Sequence, residues 1–210
     1  MIALRAKSVT FETTYINLRD RPDWFMKISP HGKVPVLLVD DQPLFESNAI
    51  AEYLDETIAP RLHPEDPLVR ARHRAWTDFT PDFASSLSAV YYAKTKADSD
   101  AAHEDARDAL ETLEGALAAD KAPGGPFFGG DRLCLVDCAY TPFLQRFLMA
   151  DALLKTGLID GYPKVKAWTE ALLATEIVEG SVADVFPAEF EGNLIRRETY
   201  AATLLQRAAE

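Results

Sequence analysis

The sequence predicts an α/β segment followed by an all-helical one. Up to about residue 58, short strand-like runs alternate with helical periods, whereas from Leu68 onward only helical periods occur. Between them, residues 59–67 (APRLHPEDP) combine prolines and acids without periodicity, which is typical of a linker. We therefore predict an α/β domain over residues 1–58, a linker over 59–67 and an all-α domain over 68–210.

Two strand-like runs lie in the first segment. Residues 9–16 (VTFETTYI) interleave β-branched and aromatic residues with polar ones, and residues 34–39 (VPVLLV) form a continuous apolar run typical of a buried strand. Residues 42–45 would return beside this second run, because Asp-Asp at 40–41 fits a tight hairpin turn. Residues 46–58 then show the apolar spacing of a helix.

The second segment is predicted to contain only helices. The apolar spacing places them at about residues 68–95, 99–119, 135–154 and 163–174, with a final amphipathic helix from about residue 187.

The bulk composition excludes several classes of protein. The net charge of -11 repels nucleic-acid phosphate and anionic lipid, so neither is expected as a partner. No apolar run approaches the roughly 18 residues that a membrane span needs. The N-terminus lacks the features of a signal peptide and the two cysteines form no disulfide framework, so we expect a cytoplasmic protein. Cys134 and Cys138 have no neighbouring His or second Cys pair, and no metal site is predicted.

The densest basic cluster of this acidic chain lies at residues 70–74 (Arg-Ala-Arg-His-Arg). A solvated helix face is one interpretation, and a contact with an anion or with a second subunit is the other.

A proline stands where the buried strand is predicted to begin. Pro35 cannot donate to a strand ladder and is normally excluded from such a position. A cis Val34-Pro35 bond would turn the N–H and carbonyl of Val34 outward, free to pair with an extended peptide. A trans bond at an edge strand is the alternative, and the sequence leaves both open.

The start of the predicted helix at residue 46 offers a place for charged groups. Its first-turn N–H groups lack partners and carry the positive end of the helix dipole, so Ser47 could hold a carboxylate while Glu46 takes an ammonium group. An ordinary capped helix is the alternative. Lys33 or Arg21 could neutralise a second carboxylate. A ligand with an amine and a carboxylate at one end, a peptide-like middle and a carboxylate tail matches all of these groups, and glutathione is such a ligand.

The same stretch resembles a known family. The run PDWF-x-K-x-SPHGKVPVL-x-VDDQPLFESNAIAEYLDE is similar to the N-terminal domain of cytosolic glutathione transferases, especially omega-like, bacterial and plant tau-like members. The run FFGGDRLCLVDCAYTPFLQRF looks like the buried helix of the family's second domain, so the resemblance covers nearly the whole chain. It implies a thioredoxin-like first domain followed by an all-helical bundle.

The resemblance also implies a role for each residue of the segment. Val34 would pair its backbone with the cysteinyl unit of glutathione, and Glu46 and Ser47 would hold the γ-glutamyl end. Lys33 would face the glycyl carboxylate, with Arg21 as the second candidate for that role.

The front of the chain departs from the family pattern. Family members begin with a strand and a loop that carries a catalytic Cys, Ser or Tyr, and residues 2–7 look like the second half of the helix that follows. We therefore expect that the first strand, which would lie between residues 9–16 and 34–39, and the catalytic residue are absent from this sequence. A start codon assigned too late, a shortened chain and genuine divergence would each explain this. No catalytic residue is predicted, because Ser8 and Tyr15 do not occupy the family's position.

A second departure lies at the predicted helix start at residue 135. The family's capping box carries Ser or Thr where this chain has Cys134, and a thiol is a poor hydrogen-bond acceptor. Asp137, three residues later, can still bond back to the backbone of Cys134, so we predict a structural role for Asp137.

The resemblance implies glutathione transfer or thiol–disulfide exchange on a small hydrophobic electrophile or disulfide, in a homodimer. The second substrate would lie between the domains, with walls drawn from Phe79, Phe83, Tyr91 and Tyr92, although each could instead belong to the core. The competing class is a non-catalytic binding or regulatory module, like the bacterial stringent-starvation protein. The intact binding segment argues against this alternative, and the absent strand argues for it.

Overall fold

The computed structural model describes residues 1–120, 122 and 124–208, so residues 121, 123, 209 and 210 of the predicted all-α domain lie outside it. The first segment is a small thioredoxin-like domain with a two-stranded antiparallel sheet and three helices, which confirms its predicted α/β character. Its elements are helix α1 (Ile2–Ala6), helix α2 (Asp23–Ile28), strand β1 (Val36–Val39), strand β2 (Gln42–Phe45) and helix α3 (Ser47–Thr57).

The predicted hairpin between β1 and β2 is confirmed. Asp40 and Asp41 have φ values of 48° and 63°. Two central residues with positive φ form the type I′ turn, whose twist matches that of the flanking strands. The register pairs Val39 with Gln42 next to the turn.

Strand β1 is less buried than its apolar run predicts. It begins two residues later than expected, and its Leu38 is 50% exposed. Leu37, on the opposite face, packs with Leu44 against Leu4 of α1 and the apolar side of α3. The prediction of a fully buried strand is wrong, because α1 and α3 pack against only this face of the sheet.

Residues 9–16, predicted as a strand, have no regular secondary structure. A strand is stabilised by ladder bonds to a neighbour. In the described part of the chain no strand pairs with this segment, and its only backbone bond outside regular elements runs from the Val9 N–H to the Leu4 carbonyl. Tyr15 is 68% exposed. The prediction is wrong because alternating residue types report a side-chain preference and cannot supply a partner strand.

The second segment is helical, as predicted. The predicted helix at 99–119 is divided at Ala102, and the final amphipathic helix is two helices. The helices are α4 (Pro67–Tyr92), α5 (Lys96–Ala101), α6 (His103–Ala119), α7 (Leu135–Leu154), α8 (Pro163–Leu173), α9 (Glu176–Glu179), α10 (Phe186–Arg196) and α11 (Tyr200–Ala208), with a short 3₁₀ helix at Leu158–Gly161.

The main hydrophobic core lies between α4, α6, α7 and α8. Phe83, Leu113, Phe147 and Trp168 are among its fully buried side chains. Burial of large side chains on this scale contributes about 1.5–3 kcal/mol for each of them. The helical segment therefore has the core of a stable domain.

Asp137 is a buried carboxylate that joins three parts of this core. It accepts hydrogen bonds from the Cys134 N–H (2.7 Å), the Phe128 N–H (2.9 Å) and the Trp168 indole N–H (2.7 Å). Burial raises the pKa of Asp137 in spite of these bonds. The carboxylate thus ties the first turn of α7 to the preceding loop and to α8.

A buried ion pair joins the first segment to the linker. The Lys7 ammonium lies 2.9 Å from Asp55 Oδ1 and donates to the carbonyls of Ile58 (2.6 Å) and Pro60 (2.8 Å). Asp55 also accepts from the N–H groups of Leu62 and His63. Burial alone would raise the pKa of Asp55, but these hydrogen bonds outweigh it and lower the pKa.

Two histidine rings lie close together where residues 59–67 meet α4. His63 Nε2 lies 2.7 Å from Glu52 Oε1, and the His63 and His73 rings are 6.3 Å apart. His73 is buried edge-on to Phe128. Desolvation, together with the neighbouring His63, lowers the pKa of His73 to about 4, although Asp120 acts in the opposite direction.

None of the helices described here is long and apolar enough to cross a membrane.

Replacing Asp137 by Ala should lower the free energy of unfolding by about 3–5 kcal/mol, because three buried N–H donors would lose their acceptor. Asp131 is an exposed aspartate six residues earlier, and Asp131→Ala should change it by less than about 0.5 kcal/mol. Urea titration of the three proteins measures both effects, and equal losses in the two variants would contradict the role of Asp137.

Stability should fall as the pH falls from about 6.5 to about 4. In this window the unfolded chain protonates His73 while the folded chain keeps it neutral, so the unfolded state binds more protons. The loss should reach about 3 kcal/mol. It should be smaller in His73→Leu and unchanged in His31→Leu, since His31 is exposed. Urea titrations at pH 6.5, 5.5 and 4.5 test this. If the free energy of unfolding of His73→Leu fell with pH as steeply as that of the unmodified protein, the prediction would be refuted.

Candidate functional site

The hairpin brings the two predicted binding segments to one end of the sheet. The ladder ends where Val36 pairs with Phe45. Val34 precedes Val36 by two residues, and Ser47 follows Phe45 by two. The His31 ring lies edge-on to Phe45 with 5.9 Å between the ring centroids, so the turn before β1 contacts the end of β2.

The Val34 backbone is open to a ligand. The Val34-Pro35 peptide is cis. Among the residues that the structure describes, neither the N–H nor the carbonyl of Val34 has a hydrogen-bond partner, and its side chain is half exposed. An extended peptide lying alongside could pair with both groups.

Ser29 fixes the backbone next to this open position. Its hydroxyl accepts from the Lys33 N–H at 3.0 Å and donates to the Lys33 carbonyl at 2.9 Å. Ser29 is 2% exposed, so water does not compete for these bonds. The Gly32 between them has a φ of 60°, a conformation that glycine adopts without steric cost. Sequence reasoning missed Ser29, although hydroxyl-to-backbone bonds are a known property of serine in turns.

Both predicted cations lie at this turn. A Cβ atom on Gly32 would be 3.5 Å from Arg21 Nε, so the Arg21 side chain lies against the residue that precedes Lys33. Arg21 and Lys33 are exposed, and within the described ranges neither forms an ion pair. Their charges remain available to an anion.

On the other side of the site, α3 begins with a strained residue and free donors. Glu46 has φ 66° and ψ 120°, and its side chain makes no capping bond. Such a conformation costs of order 1–3 kcal/mol for a residue with a Cβ. The first helical bond to return runs from the Ile50 N–H to the Glu46 carbonyl. The N–H groups of Ser47, Asn48 and Ala49 therefore point out of the helix start without helical partners.

Asn48 attaches this helix start to the helical segment. Its side-chain N–H donates to the Thr77 carbonyl of α4 at 3.2 Å, and Asp78 Oδ1 lies 3.4 Å away. Sequence reasoning missed this contact, because it joins residues that are far apart in the chain.

The arrangement has charges of both signs in a row. Arg21 and Lys33 supply positive charge beside the Val34 backbone, and Glu46 supplies negative charge next to the positive N-terminus of α3. A peptide-like ligand with a carboxylate at each end and an ammonium group at one end is complementary to this row.

The basic cluster at residues 70–74 is not part of the site. Arg74 binds Glu52 of α3, and Arg72 lies 3.5 Å from Asp120. His73 is buried, so the interpretation of the whole cluster as a solvated face is wrong for this residue.

The aromatic side chains proposed as walls of a second pocket divide into two groups. Phe83 and Tyr91 are core residues, whereas Phe79 and Tyr92 are partly buried against the core.

The two cysteines are not suited to nucleophilic or metal chemistry. Burial raises the pKa of Cys138 to about 12 and that of Cys134 well above its ordinary value. Among the residues described, no group of His, Cys, Asp or Glu side chains could hold a metal ion.

Comparison with protein-family models gives two matches. The model of the glutathione S-transferase N-terminal domain matches residues 1–57, and that of the glutathione S-transferase C-terminal domain matches residues 96–171.

Individual proteins agree with these matches. A probable glutathione S-transferase of rice (Oryza sativa subsp. japonica) is 36% identical over 194 residues, which are 87% of this chain and 82% of that protein. Glutathione S-transferase omega-1 of Rattus norvegicus is 30% identical over 186 residues, covering 88% of this chain and 75% of the relative. The crystal structure of a rice glutathione transferase in complex with glutathione superposes with a TM-score of 0.80 at 26% identity, over 95% of this chain and 90% of that one.

The strain at Glu46 can be measured without any ligand. The free energy of unfolding of Glu46→Gly should exceed that of Glu46→Ala by about 1 kcal/mol. Both variants lack the carboxylate, but only glycine adopts the positive φ without strain. Urea titration of the two variants gives the difference, and equal stability would show that the conformation is not strained.

Proposed function

Because this chain belongs to the glutathione S-transferase family, we propose that it catalyses glutathione-dependent transfer with glutathione bound across the hairpin and the start of α3. Lys33, assisted by Arg21, faces the glycyl carboxylate. The Val34 backbone pairs with the cysteinyl unit, and Glu46 and Ser47 hold the γ-glutamyl ammonium and carboxylate groups.

The observation that carries this proposal is the absence of intramolecular partners for these groups within the described chain. Elsewhere, Asp55, Asp137 and Glu52 are each bonded to several donors. Arg21, Lys33, Glu46 and Ser47 are exposed, so their charges and hydrogen-bonding groups remain available to a ligand of complementary charge. Charge-assisted bonds contribute about 1.5–3 kcal/mol each, consistent with micromolar to millimolar affinity.

The reaction is the attack of the glutathione thiolate on a second substrate. With an electrophilic carbon, a carbon–sulfur bond forms and the leaving group departs with its electron pair. With a disulfide, a new sulfur–sulfur bond forms and a thiolate leaves. The second substrate is a small hydrophobic electrophile or disulfide.

We also propose a homodimer in the cytoplasm, with domain boundaries at residues 1–58 and 68–210 and a linker at 59–67. The first turn of α4 exposes two apolar side chains, Leu68 (64% exposed) and Val69. Their exposure supports a subunit contact there. Both cysteines are free thiols, as expected in a reducing compartment.

Calorimetric titration with glutathione tests the binding site. The unmodified protein should bind, and the double variant Glu46→Ala, Ser47→Ala should bind at least about tenfold more weakly, because it loses two charge-assisted contacts. Lys33→Ala should weaken binding by a smaller factor, since Arg21 remains.

Matched controls separate these effects from a change of net charge. Glu104 is an exposed acid in the first turn of α6, and Lys27 is an exposed lysine in the last turn of α2. Glu104→Ala and Lys27→Ala should bind glutathione as the parent does. Failure of the unmodified protein to bind glutathione would refute the proposed function.

A further inference from the structure

Arg146 of α7 is a partly buried arginine without an acidic partner in the described part of the chain. Its guanidinium makes one hydrogen bond, from Nη1 to the Pro142 carbonyl at 2.7 Å. Four N–H groups remain, and those on Nε and Nη2 form a fork that binds carboxylates and similar anions through two parallel bonds.

The acids of α7 and of the first turn of α10 are engaged elsewhere. On α7, Asp137 accepts from the three donors described above and Asp151 accepts from Thr156. On α10, Glu189 lies 3.4 Å from Arg196. Desolvation lowers the pKa of Arg146, and a desolvated charge without a counterion is unfavourable.

One aromatic ring lies against this charge, and further rings adjoin that ring. The Arg146 guanidinium carbon lies 4.7 Å from the centroid of the Phe186 ring, and Phe186 contacts Phe190, which lies edge-on to Tyr91. Tyr92 packs on Tyr91 with 4.6 Å between the ring centroids. Aromatic faces attract a cation, but by only about 0.5–2 kcal/mol, so they do not replace a counterion.

Helix α4 connects this cluster with the glutathione site. Its middle, at Thr77 and Asp78, contacts Asn48 at the start of α3, and its C-terminal end carries Tyr91 and Tyr92. The cluster therefore lies further along the helix that borders the glutathione site.

We propose that the second substrate is an aromatic electrophile that bears a carboxylate or sulfonate group, and that Arg146 binds this group while the partly buried Phe186 contacts the ring. Arg146 is then the residue that determines specificity. The proposal rests on the proposed function for its reaction. In an acidic chain, which repels anions at long range, a local guanidinium is needed to hold such a substrate.

The kinetic test uses two chloroarenes that differ in charge, 4-chloro-3,5-dinitrobenzoate and the neutral 1-chloro-2,4-dinitrobenzene. In each, the glutathione sulfur bonds to the carbon that carries chlorine, the carbon–chlorine bond breaks, chloride leaves with the electron pair and the thiol proton passes to solvent. The readout is the ratio of kcat/KM for the anionic over the neutral substrate, each divided by its uncatalysed rate.

Arg146→Gln should lower this ratio at least about tenfold, and Arg146→Lys should retain most of it because the charge remains. Arg107→Gln, at an exposed arginine of α6, should show the parent's ratio. An unchanged ratio in Arg146→Gln, or an equal loss with both substrates, would overturn the proposal.

A binding measurement keeps this test independent of catalysis. Fluorescence titration measures the affinity for two dyes, the anionic anilinonaphthalene sulfonate and the neutral phenylnaphthylamine. Arg146→Gln should lower the affinity for the anionic dye at least about tenfold more than the affinity for the neutral dye. If glutathione does not bind but this discrimination is present, the proposed function fails and the anion site stands. If glutathione binds and Arg146→Gln does not discriminate between the dyes, the inference about Arg146 fails alone.

Discussion

The buried pair of Lys7 and Asp55 fixes how the two segments of the chain meet. The hydrogen bonds of this pair are directed at the same junction, since Lys7 donates to the Ile58 and Pro60 carbonyls just after α3 and Asp55 accepts from the N–H groups of Leu62 and His63. A buried ion pair is tolerated only when its remaining donors and acceptors are used in this way. The path from α3 into α4 is therefore determined closely, and with it the contact between Asn48 and α4.

The polar groups of this protein form two classes. Those that maintain the fold, such as Asp55 and Asp137, are buried and each accepts from three donors. Those of the proposed glutathione site, Lys33, Glu46 and Ser47, are exposed and have no side-chain partner among the described residues, yet they stand on a backbone held by Ser29 and by the hairpin register. Because the backbone of the site is already ordered, binding a ligand there costs less conformational entropy than binding to a site that must first become ordered. The positive φ of Glu46 is part of the same ordered backbone.

Helix α4 connects the two parts of the proposed reaction. Its first half is bound to α3 through Asn48 and Arg74, and its last turn carries the tyrosines of the aromatic cluster. Arg146 resembles Arg21 and Lys33 of the proposed glutathione site in lacking an acidic partner among the residues described, but its guanidinium lies against the Phe186 ring. The free charges at the two sites therefore suit ligands of different kinds, a peptide at the hairpin and an aromatic anion at α10.

The sequence by itself determined the local features. Residues 40–41 specified the hairpin turn, the apolar spacing located α4, α6, α7 and α8, and the family resemblance supplied the residues of the proposed glutathione site. Features that depend on a partner distant in the chain were decided only by the tertiary structure. The run at 9–16 has strand composition but no neighbour, Leu38 is exposed because no element described here covers its face, and Ser29, Asn48 and Arg146 gain their roles from groups that the fold brings to them. Periodicity indicates which secondary structure a single segment prefers. Hydrogen bonds, burial and the pairing of charges depend on two segments, and only folding brings two distant segments together.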